Sequence, residues 1–233
     1  MKIAVVIFPG TNCEHDVVHG LDLMGVESEL VFHKQTSLDG FDGVVLPGGF
    51  AHGDYLRTGA IARFSPIMHS VVAMAEAGKP VVGICNGFQV LCEAGLLPGA
   101  LVANRDLSFI CKPINLRVEN TTSALTAATT AGEVIEIPLN SYEGNYVAEE
   151  KTIKQLEANG QILFRYCDAA GNVTVEANPN GSAGNIAGIS NETGNVAGLM
   201  PHPERAVEAI LGSTDGVALL SSIPAFAALV GAE

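Results

Sequence analysis

Cys85 stands between two glycines, in the stretch Gly83-Ile84-Cys85-Asn86-Gly87-Phe88-Gln89. A G-x-C-x-G pattern placed after an apolar run and before a helical one is the cysteine counterpart of the nucleophile elbow. The sharp turn crowds the Cβ of its central residue, and small residues two positions either side, Gly83 and Gly87, relieve that crowding. A helix beginning just past the thiol favours the thiolate through the positive end of its dipole. The bland reading is a core thiol, because free cysteine is among the most buried residue types. The flanking glycines favour the nucleophile.

A thiol nucleophile usually needs a base, and Pro201-His202-Pro203-Glu204-Arg205 offers one. The two prolines disfavour helix before each ring, and in an extended segment residues i and i+2 project to the same side. Glu204 is thereby expected to orient His202, which faces Cys85. Read alone, the same segment is a loop histidine followed by the acidic first turn of a helix starting near 205. Leu46-Pro47-Gly48-Gly49-Phe50 adds a third part: successive glycines let backbone amides approach a ligand closely. An oxyanion hole needs two donors, and the amides of Gly49 and Asn86 are the candidates. His52, Asp54 and Arg57 follow as loop charges. Cys13, Glu14, His15 and Asp16 superficially resemble metal ligands, but adjacent helical positions point in different directions, and no metal is expected.

These residues need a scaffold that brings them together. Four apolar runs (3–8, 43–47, 80–84 and 196–200) read as strands buried on both faces, as a covered parallel sheet requires. Helical spacing over 13–26, 62–78 and 88–97 falls between them, with Thr11 or Asn12 as N-cap of the first and Gly25 and Gly78 at C-termini. Strand–helix alternation predicts an open α/β sheet with right-handed crossovers. Ligands collect at the carboxyl ends of its strands, where each of the motifs above begins. Between about 111 and 190 the texture changes. Residues 114–120, 133–139 and 161–167 alternate like antiparallel or edge strands, and 168–196 is rich in Gly and Asn, hence turns and hairpins. One domain over residues 1–233 is expected.

Bulk composition agrees with this reading and excludes others. Hydrophobic residues make up 48% of the 233 and charged ones 16%, the reverse of a disordered chain. The formal net charge is −13 with no Lys/Arg run, which argues against nucleic acid and anionic membranes as partners. Five cysteines lie far apart without a C-x-x-C pair, so neither a disulfide framework nor a zinc site is expected. The opening run is broken by Pro9 and Gly10 and reads as a first strand rather than a signal peptide. With no apolar stretch long enough for a membrane span, a soluble cytoplasmic protein is expected.

The segments 8–16 (FPGTNCEHD), 46–62 (LPGGFAHGDYLRTGAIA), 83–101 (GICNGFQVLCEAGLLPGAL) and 198–205 (GLMPHPER) together resemble the class I (triad) glutamine amidotransferases over essentially the whole chain. The elbow and the His-Pro-Glu segment carry the class. The Gly-Asp-Tyr-Leu-Arg stretch and Cys-Asn-Gly-Phe-Gln resemble the stand-alone glutaminase subunits of purine biosynthesis. The resemblance implies a flavodoxin-like α/β/α sandwich, mostly parallel with some antiparallel edge strands. It implies glutamine hydrolysis to glutamate and ammonia by Cys85, His202 and Glu204 through a γ-glutamyl thioester. Gly48 and Gln89 match positions near bound glutamine, and Asp54 and Arg57 are candidates for coupling to a partner. That partner is a large synthetase subunit, with a small bridging subunit, which uses the ammonia to convert formylglycinamide ribonucleotide to formylglycinamidine ribonucleotide. ATP and Mg²⁺ are expected on that partner and no cofactor on this chain, which has no G-x-x-x-x-G-K-[ST] motif.

Two departures from the family pattern stand out. Asn140, Ser141 and Tyr142 occupy the place where relatives commonly carry a histidine before Glu-Gly, and Ala51-His52 replaces Ser-Tyr after Gly-Gly-Phe. If residues 137–146 meet glutamine through backbone, the first change matters little. The competing readings are a flavodoxin-like cysteine hydrolase or chaperone, which lacks the His-Pro-Glu pair, and a scaffold whose catalysis has decayed.

Overall fold

The computed structural model describes residues 1–230. In chain order the strands are β1 (Lys2–Ile7), β2 (Glu27–Phe32), β3 (Gly43–Leu46), β4 (Val81–Ile84), β5 (Ala100–Val102), β6 (Ile110–Val118), β7 (Val134–Ser141), β8 (Asn145–Val147), β9 (Ile162–Cys167), β10 (Ile186–Ser190) and β11 (Val196–Leu199). The α-helices are α1 (Glu14–Leu23), α2 (Met68–Glu76), α3 (Asn86–Glu93), α4 (Glu150–Ala158) and α5 (Gly216–Val230). Nine strands form one sheet in the order β2-β1-β3-β4-β11-β10-β9-β6-β7, and β5 pairs with β8 apart from it. The pairings from β2 through to β11 are parallel, and those from β11 to β7 are antiparallel.

The four runs expected as central strands are β1, β3, β4 and β11. In β3, β4 and β11 every residue is buried, because helices cover both faces of the sheet. From β1 the chain steps outward to β2 through α1, and from β3 it steps the other way to β4 through α2. Right-handed crossovers in opposite directions put the two helices on opposite faces. The chain reverses at β1 and β3, and such a switch point opens a crevice above their carboxyl ends.

Several local expectations shift. Thr11 does not cap α1: its hydroxyl accepts from the Phe8 amide at 3.0 Å, which closes the turn after β1. Asn12 does not cap it either, and the N-cap position falls to Cys13. The helix expected over 62–78 divides into a 3₁₀ turn over Ala62–Phe64 and α2, since Ser65 is held extended before Pro66. No helix starts near 205; Pro203–Arg205 is a single 3₁₀ turn and α5 begins at Gly216. Among the described residues, no helix is long and apolar enough to cross a membrane.

Candidate active site

Cys85 joins β4 to α3 with φ 51° and ψ −107°, a region that costs a non-glycine residue about 1–3 kcal/mol. Its amide donates to the Leu199 carbonyl at 2.7 Å, so the β4–β11 pairing holds the strained turn in place. The flanking glycines act as expected. A Cβ on Gly83 would lie 2.6 Å from the Gly87 carbonyl carbon, and one on Gly87 would drive into the Leu46 carbonyl of β3. Packing thus over-determines the elbow and aims the thiol into a cavity of about 520 Å³ above the sheet.

His202 leaves the end of β11, its amide donating to the Pro138 carbonyl of β7 at 2.8 Å. The segment is not extended as the sequence implied. Instead the 3₁₀ turn over Pro203–Arg205 carries Glu204 back to the imidazole, and Nδ1 meets Oε1 at 2.6 Å. Both side chains are sealed from solvent, 2% and 0% exposed. Burial opposes a charged ring, yet the Glu204 carboxylate and the Cys85 and Cys13 sulfurs outweigh it, and the His202 pKa is raised well above its ordinary value. A carboxylate can only accept, so Nδ1 carries a proton and Nε2 faces the sulfurs. A thiol, an imidazole and a carboxylate in this order are equipped for nucleophilic acyl transfer.

Gly49 reaches the pocket wall with φ 146°, and a Cβ there would lie 2.7 Å from the Thr11 Cα. Hydrogen bonds on either side, Asn12 N–H to Gly48 O at 3.3 Å and Phe50 N–H to Gly10 O at 2.9 Å, strap this turn to the turn after β1. Among the described residues the Gly49 amide meets no acceptor. The Asn86 amide lies in the first turn of α3, where intrahelical acceptors are lacking. Gly48 does not line the pocket, and a Cβ there would meet His202, Cys13 and Cys85. The Asn86 side chain fixes the assembly from below, accepting from the Ala51 amide at 3.0 Å and donating to Gln89 Oε1 at 2.9 Å. Gln89 lines the pocket and donates to the Glu143 carbonyl at 2.6 Å.

The segment lacking the family histidine meets the site through its backbone. The Cys85 thiol points at the Asn140 carbonyl at 3.7 Å, and the Glu143 carbonyl holds Gln89. Arg57 lies outside the pocket, in a bidentate pair with Glu93 at 2.6 and 2.7 Å. Asp54 lines it instead. Sequence reasoning missed Glu143, Cys111 and Phe109 on the pocket wall, and read Cys13 and Arg205 without their roles. Arg205 donates to Cys13 Sγ and to Asp16 Oδ2, each at 3.2 Å, tying the two motifs across the crevice. Glu14, His15 and Asp16 do not join Cys13 in a ligand cluster; His202 and Glu204 do.

Burial and the nearby Glu143 push the Asp54 carboxyl up to about 6 from 3.8. The folded chain therefore binds this proton more tightly than the unfolded one, and stability falls as pH rises between those two values. A shift of this size corresponds to about 3 kcal/mol at full burial; screening at a partly exposed group reduces it to about 1. Asp54→Asn is expected to stabilise the protein by about 1 kcal/mol at pH 7.5 in urea unfolding. The advantage disappears below about pH 4, where aspartate is protonated in both states.

Fold and site together define a glutamine amidotransferase. The chain matches the CobB/CobQ-like glutamine amidotransferase domain over residues 1–216 and belongs to that family. Its curated relatives include two proteins named phosphoribosylformylglycinamidine synthase subunit PurQ. The one from Salinibacter ruber is 54% identical over 99% of both chains. The one from Acaryochloris marina is 56% identical over 96% of this chain and 95% of its own. Among solved structures, a chain in the PurLQS structure from Thermotoga maritima superposes with a TM-score of 0.85 at 42% identity, covering 96% of this chain and 97% of its own.

Proposed function

We propose that this chain is the glutaminase subunit of a phosphoribosylformylglycinamidine synthase, releasing ammonia from L-glutamine for an ATP-dependent synthetase. The observation that carries the mechanism is the strained Cys85 elbow facing the buried His202–Glu204 pair. Cys85 Sγ attacks the side-chain amide carbon, and the Gly49 and Asn86 amides take the developing oxyanion. His202 gives its proton to the departing nitrogen, so the intermediate collapses to a γ-glutamyl thioester and ammonia leaves. The same imidazole then accepts a proton from water, whose hydroxide attacks the thioester. Glutamate departs and the thiolate–imidazolium pair is restored. Glu204 holds the ring orientation throughout. Gln89 sits on the substrate wall, and the Asp54 and Glu143 carboxylates suit the substrate's α-ammonium.

The likeness to a chain of the PurLQS structure supports a large synthetase partner and a small bridging one, and in this reading ATP and Mg²⁺ belong to the synthetase. The test is a glutamine analogue bearing an electrophilic δ-carbon, with the adduct located by peptide mass spectrometry. One adduct per chain on Cys85 is expected. Modification of Cys13 or Cys111 with Cys85 intact would overturn the mechanism, as would no modification in the presence of the synthetase partner.

A further inference from the structure

Gly48 marks a point where three side chains converge. A Cβ built there would lie 2.7 Å from His202 Cε1, 3.1 Å from Cys13 Sγ and 3.4 Å from Cys85 Cβ. Two of these groups belong to the proposed hydrolysis, and the third does not. Cys13 arrives from the N-terminus of α1, is 2% exposed, and places its sulfur with the ligand atoms of His202 and Glu204, all within 4.8 Å of one another. His202 Nε2 is buried, is flanked by the Cys13 and Cys85 sulfurs, and has no hydrogen-bond partner.

We infer that Cys13, Cys85 and His202 form a binding site for a soft divalent cation of the zinc type, whose occupancy blocks the nucleophile. The donor set is two thiolates and one imidazole, the composition of three-ligand zinc sites that leave a fourth position for water. Zinc lies about 2.3 Å from thiolate sulfur and about 2.0–2.1 Å from imidazole nitrogen, so binding requires the Cys85 thiol to turn from the Asn140 carbonyl, 3.7 Å away, and the Cys13 thiol to give up its bond to Asn12 Oδ1 at 3.2 Å. The surroundings match what such sites require beyond their ligands. The Glu204 carboxylate accepts from Nδ1–H at 2.6 Å, which selects the tautomer with its lone pair on Nε2, as in carboxylate–histidine–zinc arrangements. Arg205 Nη2 donates to Cys13 Sγ at 3.2 Å and holds that sulfur in place.

Binding exchanges protons for the metal. One aquated dication enters, two thiols become thiolates, and two protons leave when His202 begins neutral. Two also leave when Cys85 and His202 begin as thiolate and imidazolium, one from the Cys13 thiol and one from the ring. Affinity therefore rises with pH. A metal held here occupies Nε2 and the Cys85 sulfur together, so it competes with any electrophile for the thiol.

Metal binding is read without glutamine, so its outcome is independent of the glutaminase proposal. Co²⁺ added to the full, reduced, metal-free chain should give thiolate-to-cobalt charge-transfer absorption that saturates at one equivalent and disappears on adding Zn²⁺. Cys13→Ser and Cys85→Ser should each weaken the band and the affinity, by more than the roughly tenfold that loss of an outer-shell partner costs. A wild-type measurement stands beside the variants in case one fails to fold. One equivalent of Zn²⁺ should slow alkylation of Cys13 and Cys85 together while the exposed Cys111 reacts as before. Absence of the band would overturn the inference. So would a Cys13→Ser chain that binds as wild type does, or Cys13 alkylation unaffected by Zn²⁺.

Discussion

Cys85→Ala is expected to lower glutamine hydrolysis by about 10⁴-fold or more, the scale on which acyl-transfer enzymes lose activity with their nucleophile. No neighbouring group replaces it. His202 and Glu204 are a base and its carboxylate partner, and without the sulfur there is no thioester to form. The fold survives, because Ala keeps the Cβ that Gly83 and Gly87 accommodate and the Leu199 carbonyl still accepts the amide at 85. Alanine also leaves the strain of φ 51° in place. Cys85→Gly releases it, and this second variant is expected to be about 1 kcal/mol more stable than Cys85→Ala in urea unfolding. In the assembled complex both variants lose synthesis from glutamine and keep synthesis from added ammonia. Residual glutamine turnover above 1% of wild type in Cys85→Ala would place the nucleophile elsewhere.

The elbow was legible in the sequence because its physical requirement is local: two glycines flank one cysteine between a buried strand and a helix. The His202–Glu204 pair was legible in identity but not in geometry, since the 3₁₀ turn that joins them replaces the extended segment the prolines implied. The pocket assignment of Asp54 was hidden. His52, Asp54 and Leu56 all take positive φ, and no residue pattern announces that such a loop folds back over the site. Strand β2 was also hidden. Only Val31 of its six residues is buried, as befits a sheet edge, so it lacks the apolar run that marks β1. The place of Cys13 in the site was the least legible, since the sequence showed it only beside Glu14, His15 and Asp16. Its neighbours in the crevice, Arg205 and His202, lie nearly two hundred residues away in sequence, and they come together only because β1 and β11, with β3 and β4 between them, run parallel and end on the same side of the sheet.

Gly87→Ala is expected to destabilise the protein by about 2–4 kcal/mol, or to prevent its folding, although it adds a single methyl group. The cause is not backbone strain, for Gly87 lies in α3 with ordinary helical φ. The obstacle is the Leu46 carbonyl at the end of β3, which occupies the space a Cβ requires. Backbone cannot rotate aside as a side chain does, so α3 and β3 must separate. That separation reaches the site at once: β3 runs into the Gly48–Gly49 turn, and α3 carries Cys85 at its start. A folded fraction of Gly87→Ala therefore loses glutaminase activity as well as stability, because thiol and oxyanion donor move apart. Gly95→Ala is the control. Gly95 has φ +74° with nothing within 4 Å of its missing Cβ, so alanine there meets only conformational strain, of about 1 kcal/mol. Urea unfolding of the two variants separates the cases. Equal, small losses would mean that β3 and α3 have room between them, and the elbow would then owe its shape to something other than the contact at Gly87.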